Sequence, residues 1–238
     1  MSAPKITLYT NRLCPWAHRA HIALKELGLD YEEVTIDLNT PREPWYLEVN
    51  PLRASKLIGN LHSTSAAWSP VLIWNRCPVP CGCSPLTPPP PSGPAENALF
   101  RARVAFFVDA FISKVVTHFN AGLRSASEEE RDAHGEALVA AVVKEIEPLL
   151  AETDSKGPFF GGNEKLTLAE VQTGSFLLRI LGLTEHGLVS AKVPTLLEAQ
   201  APRFKRWAEA TIAQESVNFI WDAKAYADRA RARHAPKK

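Results

Sequence analysis

KITLYTNRLCPWAHRAHIALKELGL (residues 5–29) sets a strand, a cysteine and a helix in immediate succession. Residues 5–9 read as a short buried strand, because Ile6, Leu8 and Tyr9 form a β-rich run. Thr10, Asn11 and Arg12 break it. Proline has no N–H to lose in a first helical turn, so Pro15 fits the first helical position and Cys14 the N-cap. Ala17, Ala20, Ile22, Ala23, Leu24 and Leu27 then recur at helical spacing, and Gly28 is the expected stop.

A thiol placed there faces unpaired N–H groups and the positive end of the helix dipole, and both favour thiolate over thiol. Cys14 is therefore a candidate nucleophile, with His18 and Arg19 one turn on as sources of positive potential. The competing reading is a buried, inert cysteine.

Working outward, Tyr31–Asp37 sets Tyr31, Val34 and Ile36 against Glu32, Glu33, Thr35 and Asp37, which predicts a second strand with one slip in its alternation. Strand, helix and strand within about thirty residues make a βαβ unit, whose two strands run parallel. Asn39-Thr40-Pro41 reads as loop. Trp45–Val49 reads as a short helical segment ending at Asn50-Pro51.

The unit strand, Cys14-Pro15-Trp16-Ala17-His18-Arg19, helix and second strand resembles the start of a cytosolic glutathione transferase, in particular the cysteine-containing, omega-like enzymes of fungi. The resemblance covers residues 4–51 and 95–228. It implies a thioredoxin-like α/β domain followed by an all-helical domain, with glutathione as co-substrate and Cys14 as the catalytic residue. Arg42, eight residues before Asn50, aligns with a glutathione-contacting lysine of omega relatives, and an arginine can pair with the glycine carboxylate. The family's next features are a cis-proline after valine, a strand hairpin and a Glu-Ser pair that holds the γ-glutamyl group. They have no clear counterpart here. Pro70, in Trp68-Ser69-Pro70-Val71-Leu72, is the one substitute for the cis-proline.

Residues 54–95 depart from the rest of the chain. They hold two charged residues, Lys56 and Arg76, and no acid, where average composition gives roughly nine. Eight of the 19 prolines and three of the four cysteines lie between Cys77 and Pro94. No helical or alternating period survives beyond Val71–Trp74. A proline-rich linker is one reading. A metal loop at Cys77, Cys81 and Cys83 is another, although the spacing matches no usual zinc pattern and no fourth ligand is evident. The reading favoured is that the segment does not derive from the family's coding frame, through a retained intron or a shifted frame. The expectation is then an unpaired sheet edge, a weakened dimer or a monomer, and glutathione held mainly by Cys14 and Arg42.

From Glu96 the chain is regular again. Leu99, Val104, Phe107, Phe111, Val115 and Phe119 predict a helix over Glu96–Phe119, stopped at Gly122. Leu138, Val142, Ile146 and Leu150 predict a second over Glu128–Ala151, with Pro148 bending its last turn. Thr167 and Glu170 have the spacing of a capping box, and Leu166 and Val171 that of a hydrophobic staple. The family carries this device at its central buried helix, usually with aspartate in place of Glu170. The helix it opens runs to about Leu183, and another is predicted over Pro194–Ser216. The basic end, with Arg229, Arg231 and Arg233, reads as solvated. The domains expected are therefore 1–94 and 95–238, the second of ordinary domain size.

The family resemblance places the acceptor pocket between the domains. Trp16, Phe107, Phe111, His118 and Trp221 are its candidate lining residues, together with Phe106 and Phe219. For each the plain alternative is core packing or, for His118, an ordinary polar position.

The chain has 238 residues and a net charge of +1, which favours neither nucleic acid nor an acidic membrane surface. Four cysteines are too few for a disulfide framework. Met-Ser-Ala-Pro-Lys leads straight into the first strand with no apolar signal segment, and no run reaches the length of a membrane span. A cytoplasmic protein is expected. Three functions fit this reading. One is a glutathione-dependent transferase or thiol transferase for small hydrophobic electrophiles or mixed disulfides. Another is a tailoring enzyme of secondary metabolism acting on a polyketide- or peptide-type intermediate. The last is a non-catalytic binding or scaffold module of the same fold.

Overall fold

The computed structural model describes residues 6–41, 43–49, 58–61, 94–154 and 157–234. The chain divides into two units, Met1–Pro85 and Leu86–Lys238.

The first unit contains β1 (Ile6–Thr10), α1 (Pro15–Glu26), β2 (Glu32–Thr35), α2 (Pro44–Val49) and β3 (Ile58–Leu61). The strand order is β2-β1-β3, with β1 central. β2 runs parallel to β1, as the βαβ pattern requires, with Leu8 opposite Glu33. β3 runs antiparallel to β1, with Ile6 opposite Leu61 and Tyr9 opposite Ile58. Residues 54–95 thus supply one strand to the sheet, on the second side of β1. Four residues are too few to show a period, so β3 left no pattern to read.

α1 begins and ends as the sequence indicates. Cys14 is the N-cap and Pro15 the first helical residue. Gly28 takes φ +61°, the left-handed conformation that glycine adopts without a Cβ penalty. Gly28 N donates to Lys25 O at 3.1 Å and Leu29 N to Leu24 O at 3.0 Å, the paired bonds of a Schellman stop. Leu8, Ala17, Ala20 and Leu24 pack together beneath the helix, with Cys14 and Tyr31 at the edge of the cluster.

The second unit is helical: α3 (Pro94–Ala110), α4 (Val116–Gly122), α5 (Glu128–Ala141), α6 (Leu168–Gly182), α7 (Val193–Gln200), α8 (Pro202–Ile212), α9 (Glu215–Asn218) and α10 (Ala223–His234). A π-helical stretch, Phe111–Val115, joins α3 to α4, and another, Val142–Ile146, extends α5. Both are wider turns set into otherwise continuous helices, and they put Phe111, Val115, Val142 and Ile146 in the core. After Ile146 the chain tightens into a 3₁₀ helix, Glu147–Asp154. Pro148 explains the change, since it lacks the N–H that an α-helical bond would use.

One further expectation is corrected. The single helix over Pro194–Ser216 is split: Pro202 cannot extend α7 and instead opens α8, Ala201 between them having φ −140° and ψ 61°, and α9 starts anew at Glu215. The basic end forms α10, with Arg231 and Arg233 exposed on it. Ala227 and Ala230 are buried, and Arg231 Nη2 donates to His186 O at 2.7 Å.

α6 is the buried axis of this unit, with every residue from Ala169 to Ile180 buried. Its start is the predicted capping box. Glu170 Oε2 accepts from Thr167 N at 2.7 Å, Thr167 Oγ1 accepts from Ala169 N at 3.1 Å, and Leu166 and Val171 are both buried. Glu170 does more than cap. Its Oε1 also accepts from Phe160 N at 2.8 Å and from Trp207 Nε1 at 2.6 Å. Full burial pushes this carboxyl's pKa up, and its donors pull against that rise.

Candidate functional site

Cys14 sits where β1 hands over to α1. Asn11 builds the turn: its Oδ1 accepts from Leu13 N at 3.2 Å, its backbone O accepts from Cys14 N at 2.9 Å, and its Nδ2 donates to Ile36 O at 3.0 Å. Ile36 N donates to Thr10 O at 2.7 Å. The loop carrying the thiol is thus tied to the strand before it and to the segment after β2. Cys14 itself is extended, free and half-buried, and its side chain makes no capping hydrogen bond. The first turn of α1 holds no acid, so no carboxylate competes for the positive end of the helix.

Two residues of the first turns flank this position. Trp16 is 38 % exposed. The guanidinium carbon of Arg19 lies 4.2 Å from its ring centroid, inside cation–π range. Arg19 is only 8 % exposed. Burial lowers its pKa to about 10, and the charge of Cys14 acts in the opposite direction. His18 is fully buried, which puts it beneath the helix rather than beside the thiol's solvent face.

Two sets of polar contacts flank the helix, one around His21 and one exposed ion pair. His21 Nε2 is 2.9 Å from Thr10 Oγ1, and its Nδ1 is 3.0 Å from Tyr31 OH. Arg12 pairs with Glu33 through Nη2–Oε2 at 2.6 Å and Nε–Oε1 at 2.9 Å. Burial lowers the His21 pKa to about 4; Glu33 opposes the shift and Arg12 reinforces it. His21 is therefore neutral in the fold at neutral pH, while in the unfolded chain it titrates near 6.5. Between these values the unfolded state binds the extra proton, so stability falls as pH drops below about 6.5. Urea unfolding should show a loss of about 2 kcal/mol between pH 7 and pH 5. The His21→Asn variant should show a flatter profile over that interval. An unchanged profile in the variant would assign the slope to other groups.

The remaining candidates divide as follows. Arg42 and Pro70 lie outside the described residues, as do Cys77, Cys81 and Cys83. Phe107 and Phe111 are fully buried in the aromatic core of the helical unit. Phe107 meets Phe160 at 4.7 Å and Trp207 at 5.3 Å, and Phe111 meets Phe204 at 6.4 Å. This corrects their reading as pocket-lining residues: their rings are spent on packing. Phe106, next to Phe107 but on the outer face of α3, is 63 % exposed. His118 is half-buried in a narrow cleft with Arg131, His134 and Ser190. Trp221 is half-buried against Arg179, whose guanidinium carbon lies 4.8 Å from its ring and 4.8 Å from that of Tyr226.

Sequence reasoning missed the Arg19–Trp16 stack, although its signal was present, since residues three apart on a helix are neighbours. The bonds from Glu170 to Phe160 and Trp207 had no local signal. Among the described residues no group of histidines, cysteines and acids is placed to hold a metal ion, and no helix is long and apolar enough to cross a membrane.

Comparison with known proteins bears on the same stretch. The family model "Glutathione S-transferase, N-terminal domain" matches residues 13–81. The match runs through much of the segment that sequence reasoning had set outside the family. Glutathione S-transferase omega-1 of Rattus norvegicus is 26% identical over 227 residues, covering 94% of this chain and 84% of the rat protein. Glutathione transferase Omega 2C from Trametes versicolor is 27% identical with a TM-score of 0.71, over 98% of this chain and 100% of its own. Rice GST1, solved in complex with glutathione, has the same fold at 22% identity, with a TM-score of 0.74 and all of both chains covered. With a cysteine at the start of the first helix on a thioredoxin-like sheet, a capping box at the buried helix and these relatives, the chain is similar in sequence and fold to the cytosolic glutathione S-transferases, the omega-class ones among them, and its residues 13–81 match their N-terminal domain.

Proposed function

We propose that this protein is a glutathione-dependent thiol transferase that works through Cys14 on small hydrophobic mixed disulfides or electrophiles. The observation that carries the reading is the Cys14 thiol, half-buried at the start of α1 and not engaged in capping. A sulfur nucleophile needs both activation and access, and a half-buried helix start is a position that favours them. The thiolate attacks the glutathionyl sulfur of a mixed disulfide. The Cys14–glutathione S–S bond forms as the substrate S–S bond breaks, and the substrate thiolate leaves and takes a proton from water. The thiolate of a second glutathione attacks the adduct, releasing glutathione disulfide and restoring Cys14. The glutathione complex of the rice relative supports glutathione as co-substrate, and we place the reaction in the cytoplasm, in a chain that pairs weakly with itself.

The test is to incubate the reduced protein with glutathione disulfide and map the adduct by peptide mass. An adduct on Cys14 that free glutathione removes, together with retention on glutathione resin, is the expected result. Retention with no adduct and no turnover favours the binding-module alternative. Neither retention nor adduct overturns the proposal.

A further inference from the structure

Trp16 is the second residue of α1 and stands two positions after the thiol. A large apolar side chain at a helix start is usually turned inward, yet Trp16 is 38 % exposed. Its ring already has a stacking partner. The Arg19 guanidinium, one turn on, lies 4.2 Å from the ring centroid and is itself buried to 8 % exposure. A ring already packed against a buried cation has less side-chain freedom to lose when a second ring stacks on it, so less of the stacking energy is lost to ordering.

We propose that Trp16 is the specificity-determining residue of the Cys14 site and that it selects acceptors bearing a flat aromatic ring near the reacting sulfur. This rests on the thiol-transfer reading above. The indole sets which acceptors dwell beside the thiol, while Cys14 performs the exchange described there. Ring pairing beyond simple burial gives a preference of roughly two- to tenfold.

Two mixed disulfides of glutathione test this, one with benzyl thiol and one with cyclohexylmethyl thiol. The partners are similar in size but differ in aromaticity, and benzyl thiolate, the less basic, is also the better leaving group. That intrinsic bias is common to all variants, so Trp16→Leu sets the baseline. The ratio of kcat/KM for the benzyl over the cyclohexylmethyl compound should be about fivefold higher in the wild type than in Trp16→Leu. Trp16→Phe should keep most of that excess. A ratio unchanged in Trp16→Leu overturns the proposal. A second measurement needs no turnover: protection of Cys14 from iodoacetamide by S-benzylglutathione against S-(cyclohexylmethyl)glutathione. If neither disulfide reacts, the thiol-transfer reading fails while the protection ratio still decides the role of Trp16. Equal or absent protection in the wild type overturns it there as well. Circular dichroism of each variant confirms that α1 is intact.

Discussion

Turnover of a glutathione mixed disulfide is expected to fall by at least roughly a thousandfold in Cys14→Ser, since the substitution removes the proposed nucleophile. Serine is close in size, and Cys14 lies at the edge of its apolar cluster rather than within it. The melting temperature should therefore change little, and the loss can be assigned to chemistry. A hydroxyl is a far weaker nucleophile at neutral pH than a thiol. Mass spectrometry gives the complementary result: the glutathione adduct seen on the wild type should be absent. Retention of more than about a tenth of the activity would show that exchange does not pass through Cys14.

The second large effect is on stability. Glu170→Ala removes an acceptor that serves four donors at once: Thr167 N, Thr167 Oγ1, Phe160 N and Trp207 Nε1. All lie in the core of the helical unit, where a donor left without a partner costs about 1 kcal/mol or more. A loss of about 3–5 kcal/mol is expected, seen as a fall of roughly 10 °C in Tm for a chain of this size. Glu170→Asp should lie between. The shorter side chain can still serve Thr167 three residues before it, but it gives up reach toward Phe160 and Trp207. Calorimetry of both variants checks the order. If Glu170→Asp matched the wild type, the two long-range bonds would contribute nothing to stability.

How far the sequence could be read follows from where each signal resides. α1 was legible at both ends because Cys14-Pro15 and Gly28 are local devices with steric causes. The capping box at Thr167 was legible for the same reason. The break at Pro202 was written in the chain, but apolar spacing through Leu196, Leu197, Phe204 and Trp207 runs across it and masked it. α10 gave no apolar signal, because the residues it buries include only alanines such as Ala227 and Ala230. For the proposed site, the Cys-Pro pair placed Cys14 at a helix start, and that position together with the family resemblance singled it out. Phe107 and Phe111 were misplaced because periodicity gives the inner face of a helix without saying whether that face meets a core or a ligand. The partners of Glu170 were beyond reach, since Trp207 is 37 residues away.

The broken helix has one more result. α8 has no capping side chain of its own at Ala201, yet its first amides are bonded. Glu147 Oε1 accepts from Arg203 N at 3.0 Å and Oε2 from Phe204 N at 2.8 Å, across 56 and 57 residues. First-turn amides of a helix ordinarily exchange their protons with water quickly, having no intrahelical acceptor. Here those two protons are shielded by a carboxylate from a distant segment. Their exchange is gated by separation of that segment from α8, which makes a fraying helix end into a reporter of the unit's long-range closure.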